Sequence, residues 1–198
     1  MKRVNIVLRT SDLSSIQGDV IGVDQGAWFC YEQEIAMTLA CGDFDSITLE
    51  QLKILQMQDF SVIVLPKEKD QTDFEYALSL CEGYDEIWVY GALGGRKDHE
   101  YINLTLASLD ERIVLLDQQN KIQKYKPGTY YFSQDNYQYF SLIVLKAGII
   151  TYEGFKYPLT KRKIVPNDLY LTSNEIIDKQ AKMILEGAEV LLIRSNDA

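Results

Sequence analysis

The chain predicts an α/β protein with a small all-β domain behind it. The expected architecture is an N-terminal three-layer α/β/α domain with a mainly parallel sheet, then a C-terminal β-sandwich. Two observations carry this. Through residue 117, short β-rich runs alternate with helix-patterned segments, the arrangement that puts helices on the faces of a parallel sheet. Beyond that point strand signals recur about every 10 to 15 residues with no helix pattern between them, as in a sandwich or barrel. The boundary falls near residue 120, giving domains 1–120 and 121–198.

The elements follow in order. VNIVLRT, DVIGVD, AMTLACGD, SVIVLP, EIWVYGA and RIVLLD are the strands of the first part, short apolar runs rich in β-branched residues. TLEQLKILQMQ opens as a capping box, with Thr48 as N-cap and Gln51 three residues on; TDFEYALSLCEG repeats this with Thr72 and Glu75. Phe74, Ala77, Leu78 and Cys81 then fall on one helical stripe, and DHEYINLTLASL carries another through Ile102, Leu106 and Leu109. DQQNKIQKYKPGTYYF is polar, with a turn at Pro127-Gly128, and reads as a linker entering a strand. YYFSQ, QYFSLIVLKA, GIITYEGFKYPL, DLYLTSNEI and KQAKMILEGAEVLLIRS supply the β-rich remainder. At this size the second part is expected to need a partner surface.

Composition narrows the classes. With 198 residues, 46% hydrophobic and 25% charged, the chain is long enough for a substantial core. A net charge of −9 excludes a general nucleic-acid binder, which needs Lys and Arg to replace phosphate counterions, and disfavours an anionic membrane surface. Cys30, Cys41 and Cys81 have no CxxC spacing, so reduced core thiols are expected rather than disulfides or zinc. No apolar stretch approaches the roughly 18–20 residues that span a bilayer, the first residues read as a strand rather than a signal peptide, and a cytoplasmic location is expected.

The candidate chemistry lies at the strand ends, where ligands bind in doubly wound sheets. VDQGA, GDFDS, PKEKDQTD and GALGGRKDH end four successive strands, each acidic or glycine-rich. Asp43 and Asp45, two apart in an extended segment, would point the same way. Two carboxylates so placed suit a hard cation such as Mg²⁺; alone they are as readily a solvated Asx turn. Asp70 and Asp73 follow, and Asp73 in the first turn of a helix is also satisfied by the helix dipole alone. In GALGGRKDH, Gly94 and Gly95 allow close backbone approach, Arg96 offers a planar fork to phosphate oxygens and Lys97 adds a point charge. Asp98 and His99 open a helix whose N-terminus favours anions. A plain turn with solvated cations is the competing reading. Neither a P-loop nor a dinucleotide fingerprint is present.

Seven strings, VDQGA, GDFDS, DQTDFEYAL, GALGGRKDH, YFSL, EGFKYPL and TSNE, resemble the bacterial thiamine pyrophosphokinases in order and approximate spacing, over nearly the whole chain from about Val23 to Arg194. The resemblance implies an α/β/α domain, a β-sandwich and a homodimer with active sites between subunits. It implies the reaction of ATP with thiamine to give AMP and thiamine diphosphate. By position, Asp43, Asp45 and Asp73 resemble the Mg²⁺ ligands. Asp24, Thr72, Arg96, Asp98 and His99 fall to ATP; Gln71, Tyr157, Ser173 and Asn174 to thiamine. Asp73, Asp98 and Arg96 are the candidate catalytic residues, and the choice of Asp73 or Asp98 as proton acceptor stays open. One departure is Gln25, where the family usually has a glycine: its loss tightens backbone approach to the nucleotide, or is neutral if Gln25 faces solvent. A non-catalytic thiamine or nucleotide sensor on the same scaffold is the alternative, and a diphosphokinase acting on another alcohol is a third.

Overall fold

Residues 1–14 and 16–197 are described by a computed structural model. The chain divides into two units, Met1–Leu106 with Leu115–Asp117, and Ala107–Val114 with Gln118–Ala198. In the first, β1 (Arg3–Val7), β2 (Asp19–Val23), β3 (Leu39–Gly42), β4 (Ser61–Val64) and β5 (Glu86–Tyr90) pair in parallel in the order β4-β3-β2-β1-β5. The chain works outward from β1 to β4 and then returns to the other side of β1. That reversal makes a topological switch point at β1 and β5, where the connections leave in opposite directions and open a crevice.

Helices α1 (Gln25–Glu32), α2 (Leu49–Gln56), α3 (Asp73–Ser79) and α4 (Lys97–Leu109) fill the connections. Both expected capping boxes form: Thr48 and Gln51, then Thr72 and Glu75, exchange side-chain and backbone hydrogen bonds at 2.7–3.2 Å. Phe74, Ala77 and Cys81 are buried, as the stripe requires. In α4 the expected stripe is displaced. Ile102 and Leu109 are exposed at 41% and 70%, and Ala107 is the buried residue. The inward face also carries Asn103, whose Nδ2 donates to the Ala92 carbonyl at 2.8 Å. The observed rotation thus turns Ala107 inward and brings Asn103 within hydrogen-bond reach of the loop after β5.

Helix α1 was not expected. Its N-cap, Asp24, makes no side-chain cap bond, and QGAWFCYE has no capping box and, apart from Gln25, Ala27 and Glu32, only residues of middling or poor helix propensity. Tertiary contact forms it: α1 packs on β1 and β2, and at Gly26 a Cβ would stand 2.0 Å from the Val7 carbonyl oxygen. Gln25 is exposed. The departure from the family pattern therefore faces solvent, and Gly26 is the glycine that contact demands.

In the second unit, β7 (Asn120–Tyr125), β13 (Glu189–Ser195) and β9 (Tyr139–Lys146) form one antiparallel run in the order β7-β13-β9. β8 (Gly128–Ser133), β10 (Gly148–Glu153), β11 (Leu159–Ile164) and β12 (Gln180–Glu186) form a second, in the order β11-β10-β12-β8. Phe140, Leu142, Val190 and Leu192 from the first meet Ile150, Tyr152, Met183 and Leu185 from the second in one core, with Phe140 edge-on to Phe132, Tyr152 and Phe155. This is the expected sandwich. The expected linker is a correction: Asn120–Tyr125 is strand β7, its polar alternation hiding the buried Ile122. DLYLTSNEI is likewise not a strand but a short 3-10 turn, Leu169–Leu171, followed by isolated bridges. β6 (Ile113–Leu116) is buried throughout, and the division between the units falls within it, within α4 and after Asp117. Among the described residues, no helix is long and apolar enough to cross a membrane.

All three cysteines are buried and none forms a disulfide, and burial pushes the Cys30 and Cys41 thiols up to about 12. A thiol reagent at pH 8 will therefore leave them unmodified in the native protein and label all three in guanidinium; rapid native labelling would contradict this packing. Gly26→Ala will cost roughly 3 kcal/mol in urea unfolding, the upper range for overpacking, whereas Gln25→Gly will change stability by no more than about 1 kcal/mol.

Candidate functional site

The crevice at the switch point holds a cavity of about 390 Å³. Arg9 enters from the end of β1, Asp24 from β2, Thr72 and Asp73 from the connection after β4, Arg96 and Asp98 from that after β5. Residues scattered over ninety positions meet here because each follows a parallel strand, and parallel strands present their carboxyl ends together.

Asp24 is held by two constraints. Its backbone takes φ 49, in the left-handed region, and its Oδ1 accepts the N–H of Phe44 at 2.8 Å. That carboxylate occupies the space beside Gly42, where a Cβ would stand 2.2 Å from Oδ1. Any side chain at position 42 would evict it. Asp24, Asp43 and Asp73 each bring an oxygen within 4.8 Å of the others. Burial first of all, opposed by the Phe44 N–H and reinforced by the charges of Asp73, Asp43 and Asp45, pushes Asp24 up to about 7.

The structure does not bring Asp45 into this group. Phe44 takes φ 54, so the segment turns instead of running extended; Asp45 is exposed, and its N–H donates to Asp43 Oδ1 at 3.2 Å. The member sequence reasoning placed elsewhere is Asp24. A second missed residue is Lys69, whose Nζ lies 3.1 Å from Asp43 Oδ2 and 3.1 Å from Asp73 Oδ1. Its signal was its position four residues before Asp73, within PKEKDQTD.

The glycine loop is built over Arg9, also missed. The Arg9 guanidinium donates to the Gly91 carbonyl at 2.7 Å and to that of Leu93. Gly91, Gly94 and Gly95 all have φ near +75, and a Cβ on Gly95 would stand 2.2 Å from Arg9 Nη1. The Gly94 N–H donates to Glu100 Oε1 at 2.7 Å. Arg96 and Asp98 face each other in a fork, with contacts of 3.1 and 2.5 Å. At 74% and 64% exposure the pair is solvated and adds little stability. The Arg96 hydrogen bond, joined by the His99 N–H, holds the Asp98 carboxyl down at about 2, which makes Asp98 a weak base in this arrangement. His99 is exposed and lines the cavity. The Thr72 hydroxyl accepts the Glu75 N–H in the cap, and Gln71 is exposed beside it, outside the cavity lining.

Tyr157, Ser173 and Asn174 form their own group in the second unit. Asn174 is buried, at 6% exposure, and clamps the Tyr157 backbone: Nδ2 donates to the Tyr157 carbonyl, and Oδ1 accepts the Tyr157 N–H, both at 3.0 Å. Ser173 is exposed at φ 56, its N–H donating to Ser141 Oγ at 2.9 Å. Tyr157 itself is 60% exposed. Ser173 and Tyr157 are thus presented outward, Tyr157 fixed by Asn174 and Ser173 by Ser141.

Comparison with known proteins is consistent along the chain. Residues 13–115 match the profile of the thiamin pyrophosphokinase catalytic domain, and residues 129–186 that of the vitamin B1 binding domain of the same family. A thiamine pyrophosphokinase of Bacillus subtilis (strain 168) is 36% identical over 186 residues, 89% of this chain and 87% of the relative. Among solved structures, a thiamine pyrophosphokinase from Bacillus subtilis aligns over all of both chains at a TM-score of 0.90 and 32% identity. One from Geobacillus thermodenitrificans covers 100% of this chain and 99% of its own, at 0.85 and 31%.

Because Arg9 satisfies two loop carbonyls, Arg9→Met leaves both without their charged donor. The expected loss is about 2 kcal/mol in urea unfolding, within the range for hydrogen bonds to charged groups. Unchanged stability, together with unchanged amide protection of residues 91–95, would show that the loop does not rest on it.

Proposed function

The chain belongs to the thiamin pyrophosphokinase family, and from its site we propose that it transfers the diphosphoryl group of ATP to the hydroxyl of thiamine in an Mg²⁺-dependent reaction. The observation that carries this reading is the meeting, around one cavity, of Asp24 and Asp73 of the carboxylate group with a glycine loop and an arginine fork.

The residues fit a divalent cation. Three hard oxygen donors lie within 4.8 Å of one another, the donor class that Mg²⁺ takes. The Asp73 Oδ1 atom is buried, and the Lys69 ammonium stands 3.1 Å from it and 3.1 Å from Asp43 Oδ2, so the space between these carboxylates already suits positive charge. Asp43 and Asp73, with Asp24, would hold the ion. When bound, it supplies positive charge to the phosphate oxygens of ATP.

The chain's own groups do the rest. Gly94 and Gly95 let the backbone approach the phosphates, Arg96 exchanges its solvated partner Asp98 for phosphate oxygens, and Asp98 and His99 sit at the N-terminus of α4. The thiamine hydroxyl oxygen attacks the β-phosphorus as the bond to the α,β-bridging oxygen breaks, and AMP leaves. Positioning and electrostatics carry such a transfer. Asp73 and Asp98 both line the cavity, and either carboxylate is placed to accept the hydroxyl proton. Ser173 and Tyr157 are read as the thiamine contacts. Homodimerisation is supported by apolar side chains exposed on the second unit, among them Leu169, Tyr170 and Ile177.

The direct test incubates the purified protein with thiamine, ATP and Mg²⁺ and separates the products; thiamine diphosphate and AMP in equal amounts are expected, and their absence overturns the reading. Asp43→Asn and Asp73→Asn will each lower turnover by at least ~100-fold, whereas Asp45→Asn, outside the carboxylate group, will cost less. Arg96→Ala will chiefly raise the KM for ATP; unchanged ATP kinetics would remove its role.

A further inference from the structure

Like charges do not gather in a half-buried crevice without a counterion, and here the counterion is part of the chain. The Lys69 side chain is 15% exposed, those of Asp43 and Asp73 13% and 18%, so solvent screens this cluster far less than the Arg96–Asp98 pair. Burial works against charge on Lys69, but the hydrogen bonds and charges of Asp43 and Asp73 outweigh it and hold the ammonium protonated. The lysine approaches from the connection after β4, just ahead of the Thr72 cap, while Asp43 and Asp73 come from two different connections. One ammonium therefore ties together the two loops whose carboxylates would take the divalent ion.

We propose that Lys69 is an internal counterion for this carboxylate group: it assembles Asp43 and Asp73 before metal arrives and must be displaced for the divalent cation to bind. This rests on the metal reading given above and adds to it a positioning residue. An ammonium and a divalent ion cannot both occupy the space between the same two oxygens. The apparent metal affinity is then the intrinsic affinity reduced by the fraction of molecules in which Lys69 has swung clear. Lys69 holds the site in shape at the cost of affinity.

The test is Mn²⁺ binding to the full-length protein without nucleotide, followed by electron paramagnetic resonance of free Mn²⁺. Wild type is compared with Lys69→Met and Lys69→Arg. In the Met variant Mn²⁺ will bind about tenfold more tightly, the equivalent of one decade in equilibrium constant. Its metal-free Tm will fall below wild type, and Mn²⁺ will raise that Tm by more than it raises the wild-type value. The Arg variant, which keeps the cation, will bind within about threefold of wild type. Equal affinity of wild type and Lys69→Met within about twofold overturns the proposal while leaving the metal site standing. Absence of Mn²⁺ binding to all three, with and without ATP, removes the metal reading itself and the proposal with it. Lys69→Gln supplies the same comparison should the Met variant fail to fold.

Discussion

Repulsion among carboxylates is the constraint around which the first unit is arranged. Asp24, Asp43 and Asp73 are drawn within 4.8 Å of one another where solvent only partly reaches them, and each ionised group there raises the cost of the next. The molecule meets that cost in two ways. The Lys69 ammonium lies between Asp43 and Asp73, and the half-buried Asp24 has its pKa raised to about 7, so that it holds its proton more readily than an ordinary aspartate. A site in this condition is poised to accept positive charge.

The same crevice shows why backbone approach matters as much as side-chain chemistry. Gly26 lets α1 start against the carbonyl of Val7, Gly42 leaves room for the Asp24 carboxylate, and Gly95 lies on the Arg9 guanidinium. Each glycine answers a neighbour that comes too close for a Cβ. The start of α1 is thereby seated on β1, the strand at which the sheet reverses direction, and the glycine loop on Arg9 just beyond it. This sets Asp24, Asp73, Arg96 and the glycine loop around one cavity, so that carboxylates and a cationic side chain line the same space in an acidic protein.

In the second unit the equivalent work is done by a buried amide. Asn174 spends its carboxamide on the Tyr157 and Glu175 backbone, so that an aromatic ring and the serine beside it stand outward from a rigid aromatic core. The core itself, with Phe140 at its centre, is ordinary sandwich packing between two antiparallel runs.

The local sequence determined what local chemistry controls. The strands of the first unit, both capping boxes, the Phe74–Cys81 face and the strand-end loops are legible because their signals lie within a few residues of one another. So are the family strings. Three things were settled only by tertiary structure. Helix α1 forms through contact with β1 despite weak propensity. Strand β7 pairs with β13, some seventy residues away, despite its polar pattern. The third carboxylate of the cluster is Asp24 and not Asp45, because a left-handed Phe44 turns the chain while the end of β2 lies beside that of β3. Which carboxylates meet depends on strand order and on the backbone angles of single residues. A spacing in the sequence does not encode either.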